Sequence, residues 1–418
     1  MRMNDLSTAR FLGAMALVLV VFLIGSNAQQ EPIAPLAQSI DSTLVQAGIP
    51  VPPPGNDPSM IQSVGRPESP FRYDPFVLMP HFLDEFIYEY GVLVRPGQPE
   101  TTLLNTISPG ITLQAGSSWT LDYTAIDDLY SNHKFKDTLG HSASIVGRYS
   151  FADWTAQVNQ SYIYSSRPLV ETGTQTTVQQ YSTALNITHQ LGKNFLLESI
   201  ASQSFRFAAG YPDTYQWPID VWLHYRFSVD FDAAIGAGAG YIHQSQGSDS
   251  DYTRPEAKVS WQATEKLMIA AGGGFEDRVY LDYPRTNLDT PTYDISATYT
   301  PVPTTSLVLS LSRQISPSYQ SDESSRVASE SLSLNQRLLG ILYLTCGVTR
   351  GALNYISEAQ TSAVLRSDTQ TTINARLSSP VLRSGTLSLF CYRPTNSSSI
   401  TGFSYTSTQI GADFSYRY

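Results

Sequence analysis

The sequence predicts an all-β protein, an antiparallel transmembrane β-barrel of about eighteen strands with sixteen as the alternative count, behind a Pro-rich arm. Three observations predict it. From Glu85 to Tyr418 the chain alternates apolar and polar residues at a period of two, which gives each strand one greasy and one wet face. Short and long connections alternate along that whole stretch, as they do where one side of a barrel carries tight turns and the other carries loops. Downstream of residue 28 no run approaches the roughly 18 apolar residues of a spanning helix. Lipid offers nothing to an unpaired backbone group, so a chain that crosses it without helices does so as a closed barrel.

The amino terminus reads as a secretory signal peptide over residues 1–28. Arg2 and Arg10 precede the uncharged run Phe11 to Ile24, and Ser26-Asn27-Ala28 offers small residues at the cleavage site. An N-terminal anchor is the alternative, but the run is short for a spanning helix. Residues 29–84 are a different material. Pro32, Pro35, Pro50, Pro52-Pro53-Pro54, Pro58, Pro67, Pro70, Pro75 and Pro80 break any periodicity, and the segment reads as a largely irregular periplasmic arm.

The barrel is expected over residues 85–418. Its first strand, Glu85 to Val94, is the weakest, with acids on its apolar side. Later strands are cleaner. Val221, Leu223, Tyr225 and Phe227 alternate with Trp222, His224 and Arg226, and Leu307, Leu309 and Leu311 with Val308, Ser310 and Ser312. Eight short turns, such as Gly192-Lys193-Asn194 and Leu339-Gly340, interleave with nine longer segments, among them Pro96–Glu100, Tyr130–Asp137, Ser165–Thr174, Ser316–Ser325 and Leu353–Ser367. That arithmetic joins eighteen strands and puts both ends of the sheet on one side.

At the carboxyl end Ile410, Ala412, Phe414, Tyr416 and Tyr418 occupy every second position, opposite Gly411, Asp413, Ser415 and Arg417. A terminal strand of a soluble sandwich shows the same alternation. The aromatic last residue, however, is similar to the assembly signal of bacterial outer-membrane barrels, for which Ile410, Phe414, Tyr416 and Tyr418 are the candidate residues.

Composition narrows the function classes. The formal charge is −10, so nucleic acid is an unsuitable partner, since phosphate binding needs an excess of Lys and Arg. Tyr outnumbers Phe, 25 to 17. Aromatic girdles use such Tyr, and saccharide-binding proteins do as well. Cys346 and Cys391 fall on strands separated by a third, about 9–10 Å apart, too far for a disulfide. Both share a face with leucines, so two free thiols facing lipid are expected.

A barrel of sixteen to eighteen strands encloses an aqueous lumen. The polar faces predict that Arg148, Glu198, Arg206, Asp220, Arg226, Lys258, Glu276, Arg278 and Arg376 line it, giving a mixed, mildly cationic wall that favours anionic or neutral polar solutes. Solvated or mutually paired side chains are the plainer reading of the same residues. Asp127, Asp128, His133 and Asp137 have the composition of a rim protease site, but they cluster around one loop, where a catalytic rim draws on several. Asp249 and Asp251 suit calcium only weakly. No metal-ligand spacing, phosphate loop or nucleophile elbow is present, so no cofactor, metal or catalytic residue is expected.

The run Ser108-Pro109-Gly110-Ile111-Thr112-Leu113, followed by Trp119-Thr120-Leu121-Asp122-Tyr123, a loop with Tyr130 and Asn132, and Tyr149-Ser150-Phe151, resembles the opening of the β-barrel porin-2 outer-membrane proteins. That resemblance implies a porin-like passage in a Gram-negative outer membrane and an association with exopolysaccharide export. The implied partners are membrane lipid, the barrel-assembly machinery and a polysaccharide. The alternatives are a structural or surface-interaction barrel without transport and, less in keeping with the residues, an outer-membrane hydrolase.

Overall fold

The computed structural model describes residues 71–282 and 284–418. The expected signal peptide and the arm as far as residue 70 lie outside the described residues. Eighteen strands of 10 to 20 residues make one antiparallel sheet. They are β1 (Phe76–Arg95), β2 (Gln98–Ala115), β3 (Trp119–Tyr130), β4 (Thr138–Phe151), β5 (Trp154–Leu169) and β6 (Thr174–Gln190). Then come β7 (Phe195–Ala208), β8 (Thr214–Arg226), β9 (Phe231–Gln244), β10 (Ser250–Thr264), β11 (Leu267–Tyr280) and β12 (Thr286–Val302). The last six are β13 (Thr305–Pro317), β14 (Glu323–Leu338), β15 (Leu342–Ser357), β16 (Val364–Pro380), β17 (Gly385–Ser398) and β18 (Thr408–Arg417). Two-residue strands at Arg72–Tyr73 and Tyr405–Thr406 are accessory.

Every strand pairs with its sequence neighbour, and β1 pairs with β18 over His81–Tyr90 against Thr408–Arg417. The sheet is therefore closed, and the start of β1 and the end of β18 lie together at the short-turn end. There the backbone N–H of Tyr418 donates to the carbonyl of Pro80 at 3.2 Å, and the ring of Tyr418 meets Phe71.

Residues directly opposite in register share a face. Arg148, Gln157, Asn186, Ile200, Asp220, Gly238 and Arg254 follow one another across β4 to β10 on the inner face. The other face carries Phe275 at 69% exposure, Ile235 at 68%, Phe86 at 60% and Leu389 at 59%. Water would oppose so continuous an apolar exterior, and hydrocarbon accepts it. Aromatic rings mark its two edges. On β8, Tyr225 packs against Phe195 near the short turns, while Trp217 stacks with Tyr241 eight residues nearer the loops.

The first strand differs from expectation. It begins at Phe76, nine residues before Glu85, and Phe76 to Asp84, expected in the arm, pair with β2. Of its acids only Asp84, which accepts from Asn105 Nδ2 at 2.9 Å, is on the apolar side. Glu85 and Glu89 face inward with Ile87, and Phe86, Tyr88 and Tyr90 face outward. The expected loop Pro96–Glu100 shrinks to the two-residue turn Pro96-Gly97, and 165–174 shrinks to 170–173. Strand pairing continues beyond the bilayer, because a ladder partner satisfies the backbone better than an open loop does. A bulge near Tyr90 bends β1, and Gly91 there has φ +79 with the carbonyl oxygen of Thr406 2.3 Å from where a Cβ would sit. Only glycine fits.

The carboxyl-terminal alternation is as read: Ile410, Ala412, Phe414 and Tyr416 are opposite outer-face residues of β17 and β1. Cys346 and Cys391 both stand opposite Ala375 across β16, on the outer face, and both thiols are free. Replacing Leu389 by Arg puts a cation on the apolar belt and is expected to cost about 2–4 kcal/mol, against less than about 1 kcal/mol for Thr372→Arg on the inner face. Urea unfolding in lipid vesicles measures both.

Candidate functional site

All nine charged residues singled out from the sequence occupy the inner face, and the structure joins most of them into pairs. On β10 and β11 Arg254 Nε lies 2.6 Å from Glu256 Oε1, and Arg278 Nη2 lies 2.6 Å from Glu276 Oε1. Arg254 also reaches Asp220 at 3.2 Å. Lower on this wall Lys258 Nζ donates to Glu198 Oε2 at 2.8 Å and lies 4.2 Å over the ring of Trp222. His224 bridges Glu198 and Asp232, at 3.1 and 2.8 Å. On the facing wall Arg376 contacts Asp413 and stands 4.0 Å from Glu85. Arg148 and Arg226 have no acidic partner among the described residues, and Arg206 is used at the mouth.

The wall is not mildly cationic. Register adds Glu85, Glu89, Asp122, Asp128, Asp232, Glu256, Asp294, Asp368 and Asp413 to the inner acids, against Arg167, Arg254, Arg337 and Arg366 among the bases. With these included, inner acids outnumber inner bases. The sequence reading missed them because it kept only residues on the most regular runs.

At the long-loop end the lumen is narrowed by two sets of braces. Above Arg313 the β13–β14 hairpin leaves β12, whose pairing with β13 stops at Tyr293 while β13 stays with β14 out to Pro317. Ile315, freed in this way, packs on Tyr280, Leu288 and Ile356, and the hairpin tip leans over the opening. It meets the β5–β6 turn, which comes from a wall eight strands away in a ring of eighteen, nearly opposite. Glu171 Oε1 of that turn accepts hydrogen bonds from Ser318 Oγ and from the Tyr319 backbone N–H, both at 2.6 Å. Arg206 donates to the Ser318 carbonyl at 2.8 Å and lies 4.1 Å over the Tyr319 ring. From a third direction Arg366 donates to the Glu171 carbonyl at 3.0 Å, pairs with Asp368 and covers the Phe403 ring at 3.8 Å. Tyr319, at 1% exposure, is enclosed with Leu169, Val178 and Ala208.

The second brace is centred on Glu358. Its carboxylate accepts from Gln244 Nε2 at 2.8 Å, the Ser248 backbone N–H at 2.9 Å and Ser324 Oγ at 2.9 Å. Glu171, Tyr319 and Glu358 lie in segments the sequence marks only as polar loops. The signal available for the walls was opposite charge at i and i+2 on one strand face, as in Glu276/Arg278, Arg254/Glu256 and Arg366/Asp368.

The residues with a protease-like composition do not converge. Asp127 faces outward and Asp128 inward, the latter held by Arg167 through bonds of 2.8 and 2.7 Å. Asp137 Oδ1 caps the Tyr130 N–H at 2.7 Å, and His133 is exposed. Asp249 accepts from Tyr241 Oη at 2.6 Å and contacts His243 at 2.7 Å, while Asp251 points outward from β10. Among the described residues no group of three or more His, Cys, Asp or Glu is placed to hold a metal ion.

No protein-family model and no curated protein matches the chain. Solved structures similar to it include OccAB3 of Acinetobacter baumannii, at 9% identity over 83% of this chain and 100% of that one, with a TM-score of 0.46. OccK2 (OpdF) of Pseudomonas aeruginosa is 9% identical over 81% and 98%, with a TM-score of 0.46, and OpdL of the same organism is 12% identical over 83% and 99%, with 0.45. Identities this low leave the lumen to be read from this chain's own residues.

Burial pushes the carboxyls of Glu171 and Glu358 above the usual carboxylate range, more than their hydrogen bonds pull them down. A carboxylate swung out into water returns to its ordinary value, so the braced mouth binds more protons than an unbraced one between those two values. Acid therefore favours the braced state, and that preference is lost as pH rises through the raised values. Single-channel records are expected to show longer low-conductance dwells as the loop side is taken from neutral to about pH 5, and Glu171→Gln to weaken the dependence.

Proposed function

We propose that the chain forms a water-filled passage for small polar solutes across a bacterial outer membrane, with solute selection at the braced mouth. One observation carries this reading: a closed ring of eighteen strands, wide enough for an aqueous lumen, has an inner face of paired charges and an outer face of apolar residues. With an even strand count and both sheet ends at the short-turn end, the termini of the barrel would be periplasmic and the loops external. The outward Ile410, Phe414, Tyr416 and the terminal Tyr418 suit recognition by a barrel-assembly machinery.

Size favours a small solute over a polymer. A threading polysaccharide would have to undo the bonds of Glu171 to Ser318 and Tyr319 and of Arg366 to the Glu171 carbonyl, so the association with exopolysaccharide export rests on the sequence resemblance alone. The acid-rich wall favours cations over anions, opposite to the preference the sequence suggested. A second reading, a surface-interaction barrel with a blocked lumen, draws on the same braces.

Planar-bilayer recording separates the two. Discrete conductance steps are expected, with a zero-current potential in a KCl gradient showing preference for potassium. Replacing Ser318–Asp322 by two glycines is expected to raise the unit conductance about twofold or more, since resistance concentrates where the lumen is narrowest. A trace closed at every voltage in both proteins rejects the passage.

A further inference from the structure

From β13 to β17 the upper border of the apolar belt is set by arginine. β13, β15 and β17 each rise from a short turn with apolar residues outward, among them Leu309, Val348 and Leu389 at 42%, 41% and 59% exposure. Each outward apolar run ends at an arginine eight residues above the strand's first residue: Arg313 on β13, Arg350 on β15 and Arg393 on β17. Their face follows from the ladder. Arg313 stands opposite Tyr293, Arg350 continues the outward row of Cys346 and Val348, and Arg393 stands opposite Ile373, which is 56% exposed. β2 to β12 turn no Lys or Arg outward, and at similar height β5, β7 and β9 carry Tyr162, Phe205 and Tyr241. Among the described residues none of the three arginines is in an ion pair. Glu330, directly opposite Arg350, is the one outward acid of these strands and lies beyond ion-pair distance, so the strip keeps a net positive charge.

Height and spacing limit what meets that charge. Eight residues on strands tilted by roughly 40° put these Cα atoms about 20 Å above the short turns, in an apolar band about 25 Å tall. Snorkelling side chains then reach the headgroups on the loop side. Arg313 shares a register row with Ala352, two residues along β15 from Arg350, and Arg350 shares one with Thr395, two residues along β17 from Arg393. Neighbouring arginines are therefore about 12 Å apart, two strands and two residues, and on tilted strands that step keeps all three at one height. A single phosphate meets one arginine of such a row. Phosphates at the two ends of a disaccharide headgroup reach two, each through a charge-assisted contact. A second protein would have to bring acids to the same height and spacing, whereas a leaflet of phosphorylated lipid presents its charge there all round the barrel.

We propose that Arg313, Arg350 and Arg393 form a docking strip on the outer wall for a lipid headgroup that carries two phosphates on a sugar body. The inference rests on the membrane-passage reading above, and it names the lipid against which β13–β17 sit on the loop side. Native mass spectrometry of the refolded full chain in detergent micelles, titrated with diphosphoryl lipid A, tests it. Saturable binding is expected, about tenfold or more tighter than for phosphatidylglycerol or dephosphorylated lipid A, with no displacement by excess inorganic phosphate. Arg350→Gln combined with Arg393→Gln is expected to weaken binding about tenfold or more. Lys193→Gln, in a short turn at the other edge of the belt, is expected to leave it unchanged. The ranking of lipids in the wild type decides the matter even if the double variant fails to refold. Equal affinity in the double variant, equal binding of phosphatidylglycerol, or displacement by inorganic phosphate overturns the strip. Loss of a dimer in the double variant with lipid binding intact also overturns it and assigns these arginines to a second copy of the chain. Lipid binding by a barrel that never conducts would sink the passage and leave the strip, and conductance without lipid preference would do the reverse.

Discussion

The pairing of β1 with β18 is what the rest of the structure depends on. A sheet edge in hydrocarbon leaves a row of N–H and C=O groups with no partner, each costing several kcal/mol. The ladder from His81–Tyr90 to Thr408–Arg417 removes both edges at once. It also fixes the register all the way round, because a slip of one residue anywhere would turn a strand's apolar set into the lumen. The face of every side chain follows from that closure.

With the faces fixed, the lumen's electrostatics are mostly settled locally. Opposite charges sit two residues apart on one strand, as Glu276 with Arg278 and Arg254 with Glu256 do, or reach across an intervening glycine, as Arg254 does over Gly238 to Asp220. Such pairs keep charges that are solvated on one side from being stranded against the wall, and they shorten the range of the field inside. What remains is a modest acid excess, gathered near β1 and β3 where Glu85, Glu89 and Asp128 converge.

The mouth follows a different logic. Above the bilayer the strands no longer have to stay in the ring, and the β13–β14 hairpin leaves it once Ile315 finds an apolar seat on Tyr280 and Leu288. The tip is then held by hydrogen bonds to buried carboxylates. Glu171 ties the tip to a turn from the nearly opposite wall, and Glu358 ties the segment after β15 to the β9–β10 loop and to β14, so releasing either would free two loops together. A narrowing built in this way can be stiff at one pH and loose at another without any change in the barrel wall.

The alternation from Leu185 onward, the spacing of tight turns and the aromatic end at Tyr418 are local properties, and they determined the barrel, its strand count, its lipid face and the inward direction of Arg148, Glu198 and Arg376. Phe76 to Asp84 was hidden by Pro75 and Pro80, which mark an irregular arm in sequence but sit here at the mouth of an edge that β2 and β18 cover. The braces were not legible because Glu171, Ser318 and Arg366 are 48 to 195 positions apart in sequence and meet only when a closed ring brings opposite walls' loops over one opening. The sign of the lumen's charge was likewise decided by closure: a carboxylate such as Glu89 looks like a flaw on a strand read alone, and only the register of its neighbours shows it inside, beside Asp128 and Arg167.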